Sequence, residues 1–334
     1  MTDNRPRLLM PSAGRKVALV RCLEKHFRVY ASGFRPQEGA SACLHARGRF
    51  VEQPQFEDIK EHGEWLYETC KRIGIDAVIC VRDDDAKHLH NCRGYIEAAG
   101  AKLIISPEET CQICQDKLAM YNRLKGVAGI NVPTTVPLGH WRLEYFGGMS
   151  GNWRLPVFAK DRYGAGSRVA EVIHTLDEMG ALSMRHSGEL VIQPVMEQPE
   201  HTVDVFFDAD GNIARTSIRQ RVTTSEGQMD HGVIVPSDSE LLDQVGFVAG
   251  AMKFIGPVNM QFMEDSRIGP VLTDINPRFG GGTPLTIAAG ADFALGLKQL
   301  LAGEKIDIGE AISGSRAISF IDYVYNVPEG DTRA

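Results

Sequence analysis

No cysteine follows Cys114 in this chain of 334 residues, and the seven up to and including it are an odd number. That usage argues against a disulfide-built secreted scaffold and points to reduced thiols in the cytoplasm. Cys111 and Cys114 form a lone C-x-x-C. With no second pair at zinc-finger spacing, it reads as a chance spacing in a helical region. The start, M-T-D-N-R-P-R-L-L-M-P, lacks the apolar run of a leader, and no later stretch approaches the length of a membrane span. No membrane partner is therefore expected. Basic excess is missing too. A formal net charge of −7 argues against a general nucleic-acid binder, while leaving the few cations that a small anion needs. Repeats and low-complexity linkers are absent, so the domains should pack closely. What remains is an ordinary composition, 43% hydrophobic and 24% charged, on a chain long enough for two or three packed domains.

Over residues 1–115, short apolar runs alternate with amphipathic stretches. Strands are predicted at Leu8 to Met10, Val29 to Ala31, Ile75 to Val81 and Leu103 to Ile105. Helices are predicted from Val17 to His26, around Glu64 to Ile73 and from Asp85 to Ala99. This rhythm indicates a Rossmann-like parallel α/β sheet. Ser106-Pro107-Glu108-Glu109 reads as a capping box opening a further helix. Residues 116–189 read as mixed helices and short strands with glycine-rich loops. Residues 190–334 begin with strand pairs, Leu190 to Asn276, turning at D-A-D-G-N and D-S-R-I-G. Helical patterns at Leu241 to Phe254 and Pro284 to Leu301 would cover that sheet. The class is α/β, becoming α+β in the later part.

The most informative stretch runs from Val258 to Gly282, V-N-M-Q-F-M-E-D-S-R-I-G-P-V-L-T-D-I-N-P-R-F-G-G-G. It reads as a hairpin turning near Ser266 to Gly269. Side chains alternate along a strand, so Asp274 and Asn276 point the same way. A four-residue loop would place Gln261 opposite Asp274 on that face. A buried carboxylate is costly unless paired or metal-bound. Three converging oxygen donors of low total charge suit Mg²⁺, with Mn²⁺ as a substitute and nucleotide phosphates completing the shell. Arg278 would then neutralise charge on a transferring phosphoryl group, and Gly280 to Gly282, Gly281 included, would let backbone amides approach an anion. Taken alone, D-I-N-P-R also fits a polar strand end with a proline turn.

D-I-N-P-R-F-G-G-G, preceded by N-M-Q-F, closely resembles the metal-binding segment of ATP-grasp enzymes, in particular the carbamoyl-phosphate-synthase-like branch. Asp274 stands where that branch usually has Glu. The resemblance implies a pre-ATP-grasp domain followed by a two-subdomain ATP-grasp fold, with boundaries near 115/116 and 189/190. It also implies ATP and Mg²⁺ as cofactors. In P-V-F-A-K-D-R-Y-G-A-G-S-R-V, a buried strand ends in Lys160 and a glycine loop follows with Gly164, Gly166 and Ser167. By the resemblance Lys160 contacts the nucleotide, the loop folds over its phosphates, and Lys117 is an earlier phosphate-side lysine. Asp161 replaces the family's usual proline. The loop is not a Walker P-loop, since no Lys-Ser/Thr follows its glycines. In L-V-I-Q-P-V-M-E-Q-P-E-H-T-V-D, the backbone from Gln193 through Val195 and Met196 would read adenine. Glu200 would accept from the ribose hydroxyls, with His201 beside it as a partner in that role. Pro194 has no N–H, so the donor must lie at Val195 or Met196.

Period two along I-A-R-T-S-I-R-Q-R-V-T places Arg215, Arg219 and Arg221 on one face. A solvated basic face is the default reading of such a cluster. By resemblance Arg219 and Arg221 lie where related ligases bind triphosphate or substrate carboxylate, Arg221 being the stronger candidate. S-E-G-Q-M-D-H-G, with Glu226 and His231, reads as a mobile loop near substrate or a plain surface loop. The turn M-P-S-A-G-R-K after the first strand lacks G-x-G-x-x-G and is similar to the start of the family's pre-grasp domain. Arg15 and the run Arg82-Asp83-Asp84-Asp85 are therefore candidate substrate contacts, although strand-end acids also cap helices.

The implied activity is ligation of a small-molecule carboxylate to an amine through an acyl phosphate, with a homodimer a reasonable expectation. Two other readings stay open: a nucleotide-binding module without ligase activity, and a dinucleotide-dependent oxidoreductase.

Overall fold

The structure, a computed structural model, describes residues 3–14, 16–33, 49–139, 155–163, 169–186, 189–225 and 228–319. Five short parallel strands form the first sheet: β1 (Arg7–Met10), β2 (Arg28–Gly33), β3 (Phe50–Glu52), β4 (Ala77–Ile79) and β5 (Lys102–Ile104). Their order is β3-β2-β1-β4-β5, so the chain reverses direction across the sheet between β1 and β4. Alternation divides the apolar side chains between two cores. Leu8 and Met10 face one side with α1 (Val17–Leu23). Leu9 faces the other with α2 (Ile59–Ile73), α3 (Ala86–Asn91) and α4 (Arg93–Ala98). The expected single helix from Asp85 to Ala99 is thus two, broken at Cys92 (φ −91°, ψ 2°) and preceded by a 3₁₀ turn at Asp83–Asp85.

Two helices follow, α5 (Glu108–Gln115) and α6 (Lys117–Leu124), separated by Asp116, whose carboxylate caps α6 at Leu118 and Ala119. Ser106 does not cap α5. Its hydroxyl instead accepts from the Ile255 N–H at 3.1 Å, a tertiary partner that local sequence does not reveal. An antiparallel sheet of order β6-β9-β7-β8 comes next: β6 (Val136–Pro137), β7 (Val157–Asp161), β8 (Ala170–Ile173) and β9 (Leu190–Pro194). Between β8 and β9 lies α7 (Leu176–Arg185), capped by Thr175. Val157, Ala159, Leu190 and Ile192 pack on Met179 and Leu182 of α7, which leaves Lys160 and Gln193 on the opposite face.

The largest sheet is antiparallel with order β14-β13-β10-β11-β12-β15. Its strands are β10 (Glu197–Phe207), β11 (Ile213–Ser225), β12 (Gln228–Ile234), β13 (Gly256–Asp265), β14 (Gly269–Asn276) and β15 (Arg316–Ile318). The S-E-G-Q-M-D-H-G segment is therefore mostly paired strand rather than a loop: His231 lies opposite Thr223, while Glu226 lies outside the described residues. One face of this sheet buries Val203, Val205, Phe262 and Leu272 under α8 (Ser239–Ala251). The expected long helix from Pro284 is again two, α9 (Thr283–Ala288) and α10 (Phe293–Ala302). Gly290 turns the chain between them at φ +124°, and Asp292 caps the second by accepting from the Leu295 N–H.

The first sheet and the largest sheet share one core. Phe206 of β10 meets Phe293 of α10 edge-on at 5.3 Å. With Phe279, Ile287 and Leu297, these rings pack against the same apolar face that α1, β1 and β2 present. Phe206 is fully buried at this junction. Phe206→Ala should therefore cost about 3–5 kcal/mol and still give a single transition in chemical denaturation, because neither sheet keeps a private core on that side. Separate midpoints for the two sheets would contradict this.

Candidate active site

The hairpin of β13 and β14 sets Gln261 opposite Asp274 and Asn259 opposite Asn276. The route to that register differs from the expected one. Asp265 pairs directly with Gly269 across a three-residue turn, and the register then shifts between Gln261 and Phe262, bulging out Thr273. Two irregularities compensate, and the oxygen-bearing side chains reach one face. Antiparallel pairing extends that face across the sheet: Thr202 lies opposite both Gln261 and Arg219, Asp204 opposite Asn259, and Glu200 opposite Arg221.

Two lysines converge on Asp274. Lys117, the first residue of α6, is 4% exposed and places Nζ 3.8 Å from Asp274 Oδ1. Lys160, at the end of β7, is 7% exposed and donates to the Thr273 carbonyl at 3.3 Å. Burial pulls the Lys160 ammonium down to about 8, Asp274 acting to raise it and Lys117 to lower it. The small sheet thus reaches down to the bulge in β14. Gln193, on the same face as Lys160, is buried and donates to Thr135 Oγ1 at 2.8 Å. After Pro194, the chain crosses between the sheets at Val195, which is exposed, and Met196, which is half-buried.

Arg278 follows the strand end and is held from two directions. Its guanidinium donates to Asp83 Oδ2 from Nε at 2.9 Å and again from a second nitrogen, and it donates to Asn276 Oδ1 at 3.0 Å. Asp83 belongs to the acidic run after β4 and is 7% exposed, so this pair ties the first sheet to the D-I-N-P-R segment. Asn276 turns its amide nitrogen toward Asp274 Oδ2 (3.3 Å) and Asn259 Oδ1 (3.2 Å). In this arrangement its oxygen serves Arg278, and ligation of a metal by Asn276 requires the amide to turn over.

Other expected residues are placed differently. Arg219 is 3% exposed and donates to Asp204 at 2.8 Å, while Thr283 and Thr286 of α9 donate to the same carboxylate. It is committed beneath α9 rather than offered to the cleft. Arg221 pairs with Glu200 at 2.5 Å, so the residue expected to hold ribose is engaged by the expected catalytic arginine. His201 cannot share a role with Glu200, since neighbouring strand residues face opposite sides. It points toward Glu264, 3.9 Å away, and burial lowers its pKa. Arg215 shares the face of Arg219 but pairs outward with Glu310. Gly280 and Gly282 serve close packing: a Cβ would lie 2.7 Å from the Asn259 side chain in one case and 2.3 Å from Arg219 in the other, whereas Gly281 meets nothing. Arg15, Gly164, Gly166 and Ser167 lie outside the described residues.

Cys111 and Cys114 are buried free thiols, pushed up by burial, Cys111 to about 12. Among the described residues no cluster of three or more His, Cys, Asp or Glu could hold a metal ion, and no helix is long and apolar enough to cross a membrane. Sequence reading passed over Lys16, a half-buried residue whose ammonium burial pulls down to about 8, Arg278 lowering it and Asp83 raising it. Its signal was present: a second basic residue directly after the turn that ends β1.

The fold is that of ATP-grasp proteins. Residues 186–320, which include β9 to β15, match the family model described as ATP-grasp in the biosynthetic pathway with Ter operon. N5-carboxyaminoimidazole synthetase from Staphylococcus aureus superposes with a TM-score of 0.70 at 15% identity, over 90% of this chain and 78% of that one. The L-amino acid ligase from Bacillus licheniformis gives 0.66 at 15% identity, over 90% and 75%. The biotin carboxylase domain of Hydrogenobacter thermophilus 2-oxoglutarate carboxylase, in complex with MgADP, ADP and bicarbonate, gives 0.70 at 15% identity, over 92% and 72%. No curated protein matches by sequence.

The buried Lys160 ammonium opposes folding. A lysine whose folded pKa is near 8 binds fewer protons folded than unfolded up to about pH 10.4, so stability from this group rises with pH across that window. Lys160→Met should remove the desolvated charge while Lys117 stays with Asp274, and so flatten that rise in urea titrations. Asp204→Ala should cost about 3–5 kcal/mol in the same titrations by stranding Arg219.

Proposed function

We propose that this chain is an ATP-dependent carboxylate–amine ligase that works through an acyl phosphate. The observation that carries this reading is the concentration of cations around one carboxylate: Lys117 and Lys160 flank Asp274, and Arg278 stands two residues beyond Asn276. With Asp83 holding Arg278, these cations gather in a poorly solvated cleft, where the charge of a polyphosphate would find its match. Solved neighbours hold ADP, ATP and, in one case, MgADP with bicarbonate. That company supports reading the polyphosphate as ATP.

In the proposed reaction a substrate carboxylate oxygen bonds to the γ-phosphorus. The bond from that phosphorus to the oxygen it shares with the β-phosphate breaks, and ADP departs with the oxygen. The amine nitrogen then bonds to the acyl carbon, the bond from that carbon to the phosphate-bearing oxygen breaks, and the nitrogen loses a proton. Such transfer depends on positioning and charge neutralisation. Lys160 and Lys117 would hold nucleotide phosphates between the small sheet and β14, and Arg278, fixed by Asp83, would face the transferring group. Arg221 and Glu200 would sit further along the same face, toward the ribose, and the backbone at Val195 and Met196 would meet adenine.

The donor set fits a divalent ion that arrives with the nucleotide. Gln261 and Asp274 would supply oxygens from one face, Asn276 would join once its amide turned over, and one carboxylate beside Lys117 carries too little charge for a free-ion site. Mg²⁺ there would screen phosphate charge, and Mn²⁺ would substitute. The enzyme would act on small molecules, with a homodimer as the proposed assembly in the cytoplasm.

Incubation with Mg-ATP and pooled carboxylates and amines, read by mass spectrometry, should show ADP formation that requires a carboxylate. Asp274→Ala and Arg278→Ala should each lower that rate by about 100-fold or more. Undiminished turnover in Asp274→Ala would end the proposal, as would ADP formation indifferent to every pool.

A further inference from the structure

Lys117 and Lys160 meet in the cleft but stand on different supports. Lys117 opens α6, whose Met120 and Leu124 pack into the core that the largest sheet shares with α8. Lys160 belongs to β7 of the small sheet, which packs on α7 in a core of its own. Lys117 reaches Asp274 itself, and Lys160 reaches the carbonyl of Thr273 just before it. Like charges carried on two supports repel, so the span between them needs a hold from outside the cleft.

Such a hold lies one residue before Lys117 and two residues after Lys160. The Arg162 guanidinium donates to Asp116 twice, from Nε to Oδ1 at 2.9 Å and from Nη2 to Oδ2 at 2.8 Å. A bidentate pair of this kind fixes orientation as well as distance. Asp116 Oδ1 also caps α6, accepting from the Leu118 and Ala119 N–H groups at 2.9 and 3.1 Å. The main chain makes the same connection again: the Lys117 N–H donates to the Arg162 carbonyl at 3.0 Å, and Asp116 forms an antiparallel bridge with Tyr163. Arg162 is rooted in turn in the small sheet. Its N–H donates at 3.0 Å to the carbonyl of Glu189, just before β9, and its guanidinium also pairs with the Glu189 carboxylate. The Arg162 and Asp116 side chains are 23% and 13% exposed, so water screens this pair less than an open surface pair. Burial acts to raise the Asp116 pKa, and the hydrogen bonds from Arg162 and the helix amides outweigh it and bring the carboxyl below its usual range. A capping aspartate needs only amide donors. The guanidinium is therefore surplus to the helix, and its other attachments all lie in the small sheet.

We propose that Arg162 is a positioning residue, which through Asp116 sets the span between Lys117 and Lys160 and so shapes the seat of the nucleotide phosphates. This rests on the ligase reading above, in which both lysines hold those phosphates. Arg162 acts through its partner rather than by touching the nucleotide. It keeps the start of α6 against the small sheet while the like charges of the two lysines push them apart. The phosphates then meet lysines already spaced, which lowers the ordering cost of binding.

A double-mutant cycle in MgADP binding, read by calorimetry on the full chain, tests this without turnover. Arg162→Leu should weaken MgADP by about tenfold, and Lys117→Met should weaken it as well. Because Arg162 acts through the placement of Lys117, the double variant should bind little worse than Lys117→Met alone. Asp116→Asn keeps an oxygen for the helix amides and should reproduce the loss seen in Arg162→Leu. Removing a negative charge would by its field alone favour an anion, so weakening in both variants reports position rather than charge. Losses that multiply in the double variant overturn the proposal. So does MgADP binding that is unchanged or tighter in Asp116→Asn, even where the urea midpoint falls. Should Arg162→Leu fail to fold, Asp116→Asn takes its place in the cycle with the same expected coupling. If the wild-type protein binds MgADP but no carboxylate elicits ADP formation, the ligase reading alone fails, and the cycle still decides the role of Arg162. If the wild-type protein binds no MgADP, both fall.

Discussion

Asp274 is the charge on which the cleft depends. Two ammonium groups lie within its influence, one on the helix that links the first sheet to the small sheet and one on the small sheet itself. Isolated lysines in such surroundings would shed their protons or turn outward. A single carboxylate between them lets the small sheet stay close to β14. The buried Lys160 ammonium has two roles at once. Its desolvation weakens the fold, and its charge is what the proposed polyphosphate would meet. Function and stability are opposed at the same atoms.

A second carboxylate extends the network to the first sheet. Asp83 holds Arg278 on one side while Asn276 holds it on the other. The shared core of Phe206, Phe279 and Phe293 keeps these partners in register from below. Arg278 is therefore positioned by residues far apart in the chain and bound to both sheets. The parallel sheet reaches the site through Asp83, in the run that follows β4.

Much of this was legible in the chain. Alternation fixed the faces of β10, β11, β13 and β14, because a half-buried antiparallel strand cannot shift by one residue without turning its polar set inward. The ATP-grasp fold and the pairing of Gln261 with Asp274 follow from that patterning together with the family resemblance. The failures share one cause, the long-range partner. Ser106 looks like a cap until Ile255 takes its hydroxyl. Arg219 looks like a free cation on a basic stripe until Asp204 claims it from the neighbouring strand. The triple glycine resembles an anion loop, but two of its three positions are small because Asn259 and Arg219 fill the space. His201 was misjudged for a more local reason: proximity along the chain was allowed to outweigh the pleat. Helix breaks at Cys92 and Gly290 were missed because apolar periodicity continued through them.

The glycine run has unequal tolerance built into it. At positions 280 and 282 a methyl group would collide with the side chains of Asn259 and of Arg219 in its pair with Asp204, so those two sites are closed to any other residue without rebuilding the floor beneath α9. The middle glycine faces empty space. Variation in this segment is thus channelled to a single position, three residues from Arg278. A chemist wishing to hang a fluorophore or a cross-linker near Arg278 has one doorway there, flanked by two walls.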